Sequence, residues 1–444
     1  MRSPRPRAPG AYLYISVLVS FLTAFAVPKR ALAEKVIAKG DDWQVYTDGR
    51  VAGFLSWVHG DSSPIGTKSI TNPDGSVTSE QIDGGIWSAP AETQTGSGQG
   101  TVNMMRIRSG FLGNQLGLGV RGQVTPWTTV TGYIQIWAFI ESVSRTKSLA
   151  NAADVRQGYA KLEGWWGSFL AGRTRTLFSR GATDIDVLYA HRWGVGFPNA
   201  IDSTGPTQGM VGFGVLGSGF AAGLIYGTPV LGASGLQLNV GVFDPAALGG
   251  AQYNGTKYVR PEAELTFEKK FGETGKVVAF LNGAYQKVYK QGQCITTPES
   301  PCDDTVEGLG AGGRFELGPV HLGIAAHRGK GLGLSYALEN SYAVGDAETH
   351  LRWSDGLYLQ SQFVVRKFDI FAGWGRARVF LTDLDRKTPL LSVIKYQQGI
   401  NAGIVYNMTP SVHFDFEYFR ASAVWWLGEQ QILNCGAAGL TFNW

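Results

Sequence analysis

The chain ends on a segment that alternates apolar and polar side chains and finishes with an aromatic residue. Leu440, Phe442 and Trp444 fall on one parity, whereas Thr441 and Asn443 fall on the other. Successive side chains of a β-strand point to opposite faces, so the pattern predicts a strand with one apolar and one polar face. A strand of this kind lies between an apolar surrounding and water.

The same alternation recurs along most of the chain, in segments of about ten residues. We predict sixteen strands of this kind, over roughly 50–58, 103–123, 128–141, 154–163, 167–174, 218–229, 235–243, 258–270, 276–290, 307–317, 319–328, 356–366, 368–380, 396–407, 411–424 and 434–444. Short turns alternate with long connections, which together with an even strand number is typical of a transmembrane β-barrel. Eighteen strands result if 43–47 and 208–216 also join the barrel.

The start of the chain has the pattern of a secretory signal. Basic residues between positions 2 and 7 precede an apolar run over 11–27, and an A-x-A cleavage motif ends at Ala33. The alternative is a membrane anchor, although the run is short for a helical span. We therefore predict a cleaved signal peptide over 1–33 and a single barrel domain over 34–444.

Composition excludes two other classes of protein. The predicted signal contains five of the 39 Lys and Arg residues and none of the 35 Asp and Glu residues, so the remaining chain is close to neutral. A near-neutral chain without basic clusters gives no reason to expect a nucleic-acid partner. No later run approaches the length of an apolar membrane helix, which leaves an all-β fold with transmembrane antiparallel strands.

Three of the predicted strands carry polar side chains on one parity and apolar side chains on the other. The polar residues are Arg260, Glu262 and Glu264, then Gln360 and Gln362, then His413, Asp415 and Glu417. In a barrel this face lines the lumen while the apolar face contacts lipid. A soluble sandwich also alternates, but it has little use for sixteen such segments in one domain. We predict a water-filled pore lined by these eight side chains.

The third long connection, about 175–217, is the predicted functional focus. It is long for a loop without its own secondary structure, and such loops are usually functional or disordered. It is not of low complexity, because it contains Leu177, Phe178, Ile185 and Trp193. These apolar side chains need a surface to cover them, and the inner wall of the barrel is the surface available.

The stretches beside this loop resemble a known family. Asp154-Val-Arg-Gln-Gly-Tyr-Ala-Lys-Leu-Glu163 and Trp166-Gly-Ser-Phe-Leu-Ala-Gly-Arg173 look like strands four and five of the general bacterial porins, which are trimeric sixteen-stranded barrels. Residues 111–123 are similar to the second strand of that family. Two features depart from it: Asn114-Gln115 stands where Ser-Arg is usual, and the loop lacks the Pro-Glu-Phe-Gly-Gly signature.

The resemblance implies a fold, a location and partners. It implies that the third loop folds into the lumen and narrows it, and that Leu440, Phe442 and Trp444 form the signal read by the barrel-assembly machinery. It also implies a homotrimer in the outer membrane of a Gram-negative bacterium, in contact with lipid and lipopolysaccharide. The expected activity is passive diffusion of ions and small hydrophilic solutes.

A constriction of this kind works through charge. Guanidinium groups facing carboxylates across a narrow wet aperture create a transverse field that discriminates solutes by charge and dipole. The predicted constriction residues are Arg173, Arg175, Arg180, Asp184, Asp186, Arg314, Arg376 and Arg378. The alternative for Arg376 and Arg378 is the outer rim, where they are solvated or bind lipopolysaccharide phosphates. The parity of Arg108 fits the following strand only if a bulge lies near Ser109-Gly110.

The cysteines fit an oxidising compartment. Cys294 and Cys302 are eight residues apart in a polar connection, which predicts a disulfide that staples the loop. A metal-binding pair is the alternative, but no clustered histidines accompany it. Cys435 is predicted to be a small packing residue in the last strand.

The sequence contains no catalytic motif that we can identify. A nucleophile elbow, HExxH, a P-loop and a haem CxxCH are all absent, so we expect no catalytic residues, cofactor or metal. Three alternatives to a diffusion channel stay open: a channel specific for sugars or phosphate, an adhesin-type barrel, and an enzyme built around His413 and Asp415. Tyr133, Trp137 and Phe139 form either a sugar-binding track or part of the lipid-facing surface.

Overall fold

The structure is a computed structural model that describes residues 34–61, 66–71, 74–82, 101–110, 113–138, 153–187, 210–248, 255–290, 302–338, 344–346, 350–387 and 393–444. The predicted signal peptide lies outside the described residues, as do Phe139, Trp193 and Cys294. The predicted disulfide and the cleavage site therefore stay predictions.

Within the described residues, sixteen antiparallel strand positions form a closed barrel. The strands are β2 (Trp43–Asp61), β5 (Thr101–Arg108) with β6 (Asn114–Thr125) in one position, β7 (Thr128–Ala138), β8 (Asp154–Gly164), β9 (Gly167–Arg175), β10 (Phe220–Gly227), β11 (Leu236–Phe243), β12 (Arg260–Phe271), β13 (Gly275–Tyr289), β14 (Asp303–Leu317), β15 (Val320–Lys330), β16 (Trp353–Val365), β17 (Phe368–Val379), β18 (Ile394–Asn407), β19 (Val412–Trp425) and β20 (Gln430–Asn443). The predicted sixteen-stranded barrel is confirmed.

The barrel closes where the two ends of the sheet meet at β2. One edge of β2 pairs with β20, and the other edge pairs with β5 and β6. At the end of the chain, Trp444 N–H donates to the Gly49 carbonyl at 3.1 Å, and Gly49 N–H donates to the Trp444 carbonyl at 2.9 Å. Leu440 and Phe442 face outward and are 43% and 42% exposed.

The remaining elements are short. β1 (Lys35–Lys39) pairs with the start of β2, and β3 (Gly66–Thr71) pairs with β4 (Val77–Ile82) as a separate hairpin. In the part of the chain that the structure describes, two helices, α1 (Arg180–Ile185) and α2 (Asp383–Lys387), and a 3₁₀ turn (Gly232–Ser234) lie in connections. The segment 43–47 belongs to β2, and 210–216, the described part of 208–216, contributes no barrel strand, so neither segment adds a position to the sixteen.

The expected irregularity between β5 and β6 is present. Gly110 and Gly113 have φ values of 86° and 64°, in the left-handed region that favours glycine. A Cβ on Gly110 would lie 2.6 Å from the Phe54 ring, so this position leaves no room for a side chain while Phe54 keeps its place. The break lets Arg108 occupy the buried inner face while Leu116 faces outward.

The two faces of the wall differ as the alternation predicts. Outward side chains are apolar and exposed, for example Leu116 at 53%, Ile324 at 49% and Ile370 at 46%. Inward positions hold buried charged and amide groups. An apolar outer band around a polar interior is typical of strands that face lipid. No helix among the described residues has the length and apolar character needed to cross a membrane.

The apolar core lies inside the barrel. The third loop, residues 176–219 between β9 and β10, is described over 176–187 and 210–219, and both parts are largely buried in the lumen. Ile185, Met210 and Phe213 share one buried cluster with inward side chains of β16–β20. The prediction that this loop folds into the lumen is confirmed.

Candidate functional site

The third loop first binds the barrel wall at β12. The Phe178 N–H donates to Oε2 of Glu262 at 2.7 Å, and Glu262 also pairs with Arg260 at 2.8 Å. Arg180, at the start of α1, donates from Nε to Oε2 of Glu264 at 2.9 Å and reaches the same oxygen through Nη2. Both glutamate side chains are only 1% exposed, so these charge-assisted bonds fix the start of the loop on the wall.

After α1, the third loop binds the barrel wall again at β16, four strands around the barrel from its first attachment at β12. The Val187 N–H donates to Oε1 of Gln360 at 2.7 Å, and Nε2 of Gln360 donates to the Ile185 carbonyl. The Tyr358 hydroxyl donates to Oδ1 of Asp186 at 3.2 Å. Because its two ends bind different strands, this part of the loop runs across the lumen.

Arg175 ties the loop to the end of β9. Its Nη1 donates to Oδ1 of Asp184 at 2.8 Å, and its Nη2 donates to Oγ1 of Thr183 at 2.8 Å and to the Arg180 carbonyl at 3.1 Å. Its Nε donates to Oγ of Ser218 at 3.3 Å, where the loop returns to the wall. One guanidinium therefore contacts both ends of the loop.

The second described part of the loop lies against β16–β19. Phe213 packs edge-on against Phe419 with ring centroids 5.2 Å apart. A Cβ on Gly375 of β17 would lie 1.9 Å from the Phe213 carbonyl oxygen, and one on Gly214 would lie 2.2 Å from a wall carbonyl. Gly214 also has a φ of 103°. Loop and wall backbones approach this closely only because both positions are glycine.

A second connection, between β15 and β16, covers the third loop. The Gly217 N–H donates to the Ser335 carbonyl at 2.8 Å, and the Ala337 N–H donates to the Gly217 carbonyl at 3.0 Å. Leu332 shares a buried apolar cluster with Phe178 of the third loop. The two loops therefore pack as one unit at the loop end of the lumen.

A cavity of about 550 Å³ lies beside α1 along the inner faces of β8–β14. Each charged side chain that lines it is paired with an opposite charge: Lys161 with Glu163 at 2.7 Å, Asp184 with Arg175 at 2.8 Å, Lys276 with Glu268 at 2.9 Å, Arg314 with Glu316 at 2.8 Å, and Arg180 with Glu264. Five cations therefore meet five carboxylates. A wet passage with this lining has strong local fields but little net charge.

The eight residues predicted to line the lumen all lie on the buried face of their strands. Gln362 Oε1 lies 3.3 Å from His321 Nδ1, His413 Nδ1 lies 2.8 Å from Asn407 Oδ1, and Asp415 accepts from the Thr441 hydroxyl at 3.0 Å. Glu417 is 3% exposed. The other four, Arg260, Glu262, Glu264 and Gln360, bind the third loop or one another as described above.

Arg376 and Arg378 lie on the outer face of β17, which corrects their predicted place in the constriction. The inward residues of this strand are Gly375, Ala377 and Val379, all buried. The third loop packs on this stretch of wall, so its inner face accepts only small or apolar side chains. The arginines consequently point outward, as the rim alternative supposed.

Arg173 also faces outward, so its predicted place in the constriction is wrong. It lies in register with Ala222 of β10 and Gly158 of β8, on the same face as the exposed Leu224. The inward neighbour Thr174 instead donates to Gln157 at 2.9 Å. Arg175 differs from Arg173 because the strand ends there and its side chain can turn toward α1.

Tyr133 and Trp137 lie on the inner face of β7, not on the lipid-facing surface. They are 9% and 7% exposed. The Tyr133 hydroxyl donates to Asp48 at 2.9 Å, and its ring stacks on Tyr46 with centroids 6.3 Å apart. The guanidinium of Arg156 lies 4.9 Å from the Trp137 ring. This part of the inner wall is aromatic as well as polar.

Several cavity residues were not predicted from the sequence. They are Lys161 and Lys276, together with Glu163 and Glu316, which pair with cations of the lining. Glu268, which also lines the cavity, has the same parity as Glu262 and Glu264 on β12, so the alternation places it on the polar face. The lysines lie near short turns, where charged residues are ordinary and carry no distinguishing signal.

Comparisons with known proteins support the fold. No family model matches the chain, and neither does any curated protein sequence. Among solved structures, the chain resembles the outer membrane channel DcaP of Acinetobacter baumannii, with a TM-score of 0.64, 14% identity, and coverage of 92% of this chain and 100% of that one. It also resembles an anion-selective porin from Comamonas acidovorans, with a TM-score of 0.57, 12% identity, and coverage of 91% and 100%.

A third solved structure is OmpF of Salmonella typhi, with a TM-score of 0.51, 12% identity, and coverage of 92% of this chain and 99% of that one. The chain therefore has the fold of the outer-membrane porins, as the resemblance of its strands implied. The closed barrel with its apolar outer surface is the architecture of a barrel that crosses a membrane.

Proposed function

We propose that the protein is a porin, a passive channel through which ions and small hydrophilic solutes diffuse across the outer membrane. The observation that carries this proposal is the third loop, which crosses the lumen and leaves a passage lined by paired charges. Arg175, Arg180, Asp184 and Arg314 form the narrow part of that passage together with carboxylates of the wall, and Asp186 fixes the loop at β16.

The same geometry supports weak rather than strong ion selectivity. Among the described residues, the five ion pairs on and beside the cavity hold equal numbers of cations and carboxylates, so no single sign dominates the field there. A dipolar solute experiences the paired groups as local orienting fields. A channel of this kind passes anions and cations at comparable rates and discriminates mainly by size and dipole.

The test is single-channel conductance in planar bilayers, with the reversal potential measured under a salt gradient. We expect stepwise openings, and the variant Arg175→Gln changes both conductance and reversal potential because it frees Asp184. Arg173→Gln, two residues away on the outer face, is the matched control and leaves both unchanged. If folded protein never opens, a channel is excluded. Equal effects of the two variants mean that Arg175 is not in the aperture.

A sugar-specific channel is the second candidate, because Tyr133 and Trp137 line the inner wall of β7. Stacked aromatic rings bind the apolar faces of sugars. We expect maltooligosaccharides to reduce the conductance in a saturable way if this candidate holds, and Trp137→Ala to weaken that block. A conductance unaffected by sugars at millimolar concentration favours the diffusion channel.

The remaining features of the proposal concern biogenesis and assembly. We propose that residues 1–33 are a cleaved signal, that Trp444 and its neighbours are recognised by the barrel-assembly machinery, and that Cys294 and Cys302 form a disulfide. We further propose a homotrimer without enzymatic activity. The mass of the protein purified from outer membranes, measured natively, under denaturing conditions and after reduction, tests the signal, the trimer and the disulfide separately.

A further inference from the structure

A row of uncharged positions crosses the wall of the cavity between its charged pairs. Ser168 of β9, Gly227 of β10 and Asn239 of β11 are in register with one another. The row ends on Glu163 of β8 at one side and on Glu264 of β12 at the other. Ser168 and Asn239 both line the cavity. We call Ser168, Gly227 and Asn239 the neutral row.

The two polar side chains of the neutral row converge because the residue between them is glycine. A Cβ on Gly227 would lie 2.7 Å from Oδ1 of Asn239 and 2.9 Å from Oγ of Ser168, so both oxygens lean over the same point of the wall. No hydrogen bond joins either side chain to another residue that the structure describes. A hydroxyl oxygen donates and accepts, whereas an amide oxygen accepts. Together they can bind one hydroxyl group of a solute as donor and as acceptor.

An apolar row lies directly beside the neutral row. Leu170 of β9 and Ile225 of β10 are in register with each other and line the same cavity. Each lies two positions along its strand from a member of the neutral row, on the same inner face. A pyranose sugar carries hydroxyl groups around its edge and C–H groups on its two faces. It can therefore hydrogen-bond to the neutral row while one C–H face covers Leu170 and Ile225.

The charged groups beside the neutral row already have partners. Lys161 pairs with Glu163 at 2.7 Å, and Glu264 pairs with Arg180. A charged solute must compete with one of these partners, whereas a neutral solute exchanges its hydrogen bonds to water for hydrogen bonds to the wall. The cavity, of about 550 Å³, has the size of a site for a small organic molecule.

We propose that the neutral row, with Leu170 and Ile225, forms a weak binding subsite for a neutral monosaccharide near the short turns of the barrel. Weak binding suits a passage, because a solute held tightly would not leave it. The inference rests on the proposed channel and adds a site to it. It is separate from the sugar candidate on β7, because it uses hydroxyl and amide groups rather than the rings of Tyr133 and Trp137.

The test is current-noise analysis of single channels of the full-length protein in planar bilayers, with glucose added on both sides. We expect saturable brief closures, and we expect Asn239→Leu and Ser168→Ala each to weaken glucose binding about two- to tenfold, the range for one neutral hydrogen bond. The matched control is Thr129→Val, which removes a hydroxyl from the same register beyond Glu163. It should change glucose binding less than twofold, and so should Trp137→Ala.

Four results overturn the proposal. An open channel shows no closures with glucose, or Asn239→Leu and Ser168→Ala have no larger effect than Thr129→Val, or Trp137→Ala is the one variant that weakens binding. The fourth is that gluconate or glucosamine, an anion and a cation of similar size, binds more tightly than glucose, because the charged pairs then select the solute. Folded protein that never opens contradicts the proposed channel instead, so the two failures are distinguishable. Heat-modifiable mobility on gels confirms that each variant barrel is folded.

Discussion

Arg180 of the third loop and Glu264 of β12 form an ion pair in which two guanidinium nitrogens reach one carboxylate oxygen. Glu264 is 1% exposed and Arg180 is 26% exposed. The pair joins the loop that crosses the lumen to the wall that surrounds it. The position of the loop, and with it the width of the passage, depends on this contact.

Replacing Glu264 with Gln should loosen the start of the third loop. A charge-assisted hydrogen bond contributes about 1.5–3 kcal/mol, and its loss leaves Arg180 without its wall partner. We expect more frequent and longer partial closures in single-channel records, because the loop samples more positions in the lumen. The size of the fully open level should change little.

A double-mutant cycle distinguishes this pair from a general effect of substitution. If Arg180→Gln and Glu264→Gln act through the same contact, the double variant should show no more closures than the worse single variant. Additive closures mean that each residue acts through other partners. Glu262→Gln is a second comparison, because Glu262 holds the loop through the Phe178 N–H rather than through Arg180.

The contact between the second part of the loop and β17 predicts a steric effect. A methyl group at Gly375 would lie 1.9 Å from the Phe213 carbonyl oxygen, which no side chain can tolerate. Gly375→Ala should therefore displace residues 210–216 from the wall while leaving the lipid-facing side of the strand unaltered. We expect a change in conductance and a loss of about 1–3 kcal/mol in unfolding free energy.

Gly373→Ala on the same strand is the comparison variant for this prediction, and we expect it to have the smaller effect. Its Cβ would meet the Asn401 side chain at 2.4 Å, and a side chain can move aside more easily than a loop backbone. If both variants have the same conductance as the unaltered protein, the loop does not rest on β17 in the membrane.

The barrel was predictable because one physical rule repeats in every strand. Where one parity is charged or amide-bearing and the other is apolar, alternation also shows which side chains face lipid, so sixteen strands, the short turns and the lumen positions of Glu264, Gln360 and Asp415 follow from local sequence. The same rule identified the irregularity near Gly110, because Arg108 and Leu116 conflict in parity unless the strand is interrupted there.

The residues of the passage were less predictable because parity alone does not say which face of a strand is inward. Arg376 and Arg378 looked like constriction residues, but the strand turns its Gly375 face to the lumen. That choice is set by the third loop packing on Gly375, a contact between residues more than 150 positions apart that no local pattern contains. The pairing of Lys276 with Glu268 likewise depends on the register of β12 and β13.

The stability of the folded connection between β17 and β18, which contains α2, should depend on pH. Burial alone raises the pKa of Asp385, but the Arg352 guanidinium at 2.7 Å and the Thr382 N–H at 2.9 Å outweigh it and hold that pKa below its ordinary value. A carboxyl group with a depressed pKa stabilises the folded state above its unfolded pKa, and this contribution is lost as the pH falls through the folded pKa.

We therefore expect α2 to stay protected from hydrogen exchange at pH 5–7 and to lose protection below about pH 4. Asp385→Asn should lose this protection already at pH 7, because it removes the charge that binds Arg352. Asp383→Asn is the matched control: it lies in the same helix, its side chain is 90% exposed, and its partner Arg386 is exposed as well. Equal exchange in the two variants at pH 7 contradicts the assigned role of Asp385.

If paired charges balance each other in the passage, removing the carboxylate of a pair and removing its cation should shift the ion preference in opposite directions. Glu268→Gln leaves Lys276 unpaired and should favour anions, whereas Lys276→Gln leaves Glu268 unpaired and should favour cations. We expect each single variant to change the ratio of cation to anion permeability by about threefold, measured from the reversal potential under a tenfold KCl gradient. The double variant should return to the unaltered ratio, because it restores the balance. If both single variants shift the potential in the same direction, the charges of this pair do not set the field along the ion path.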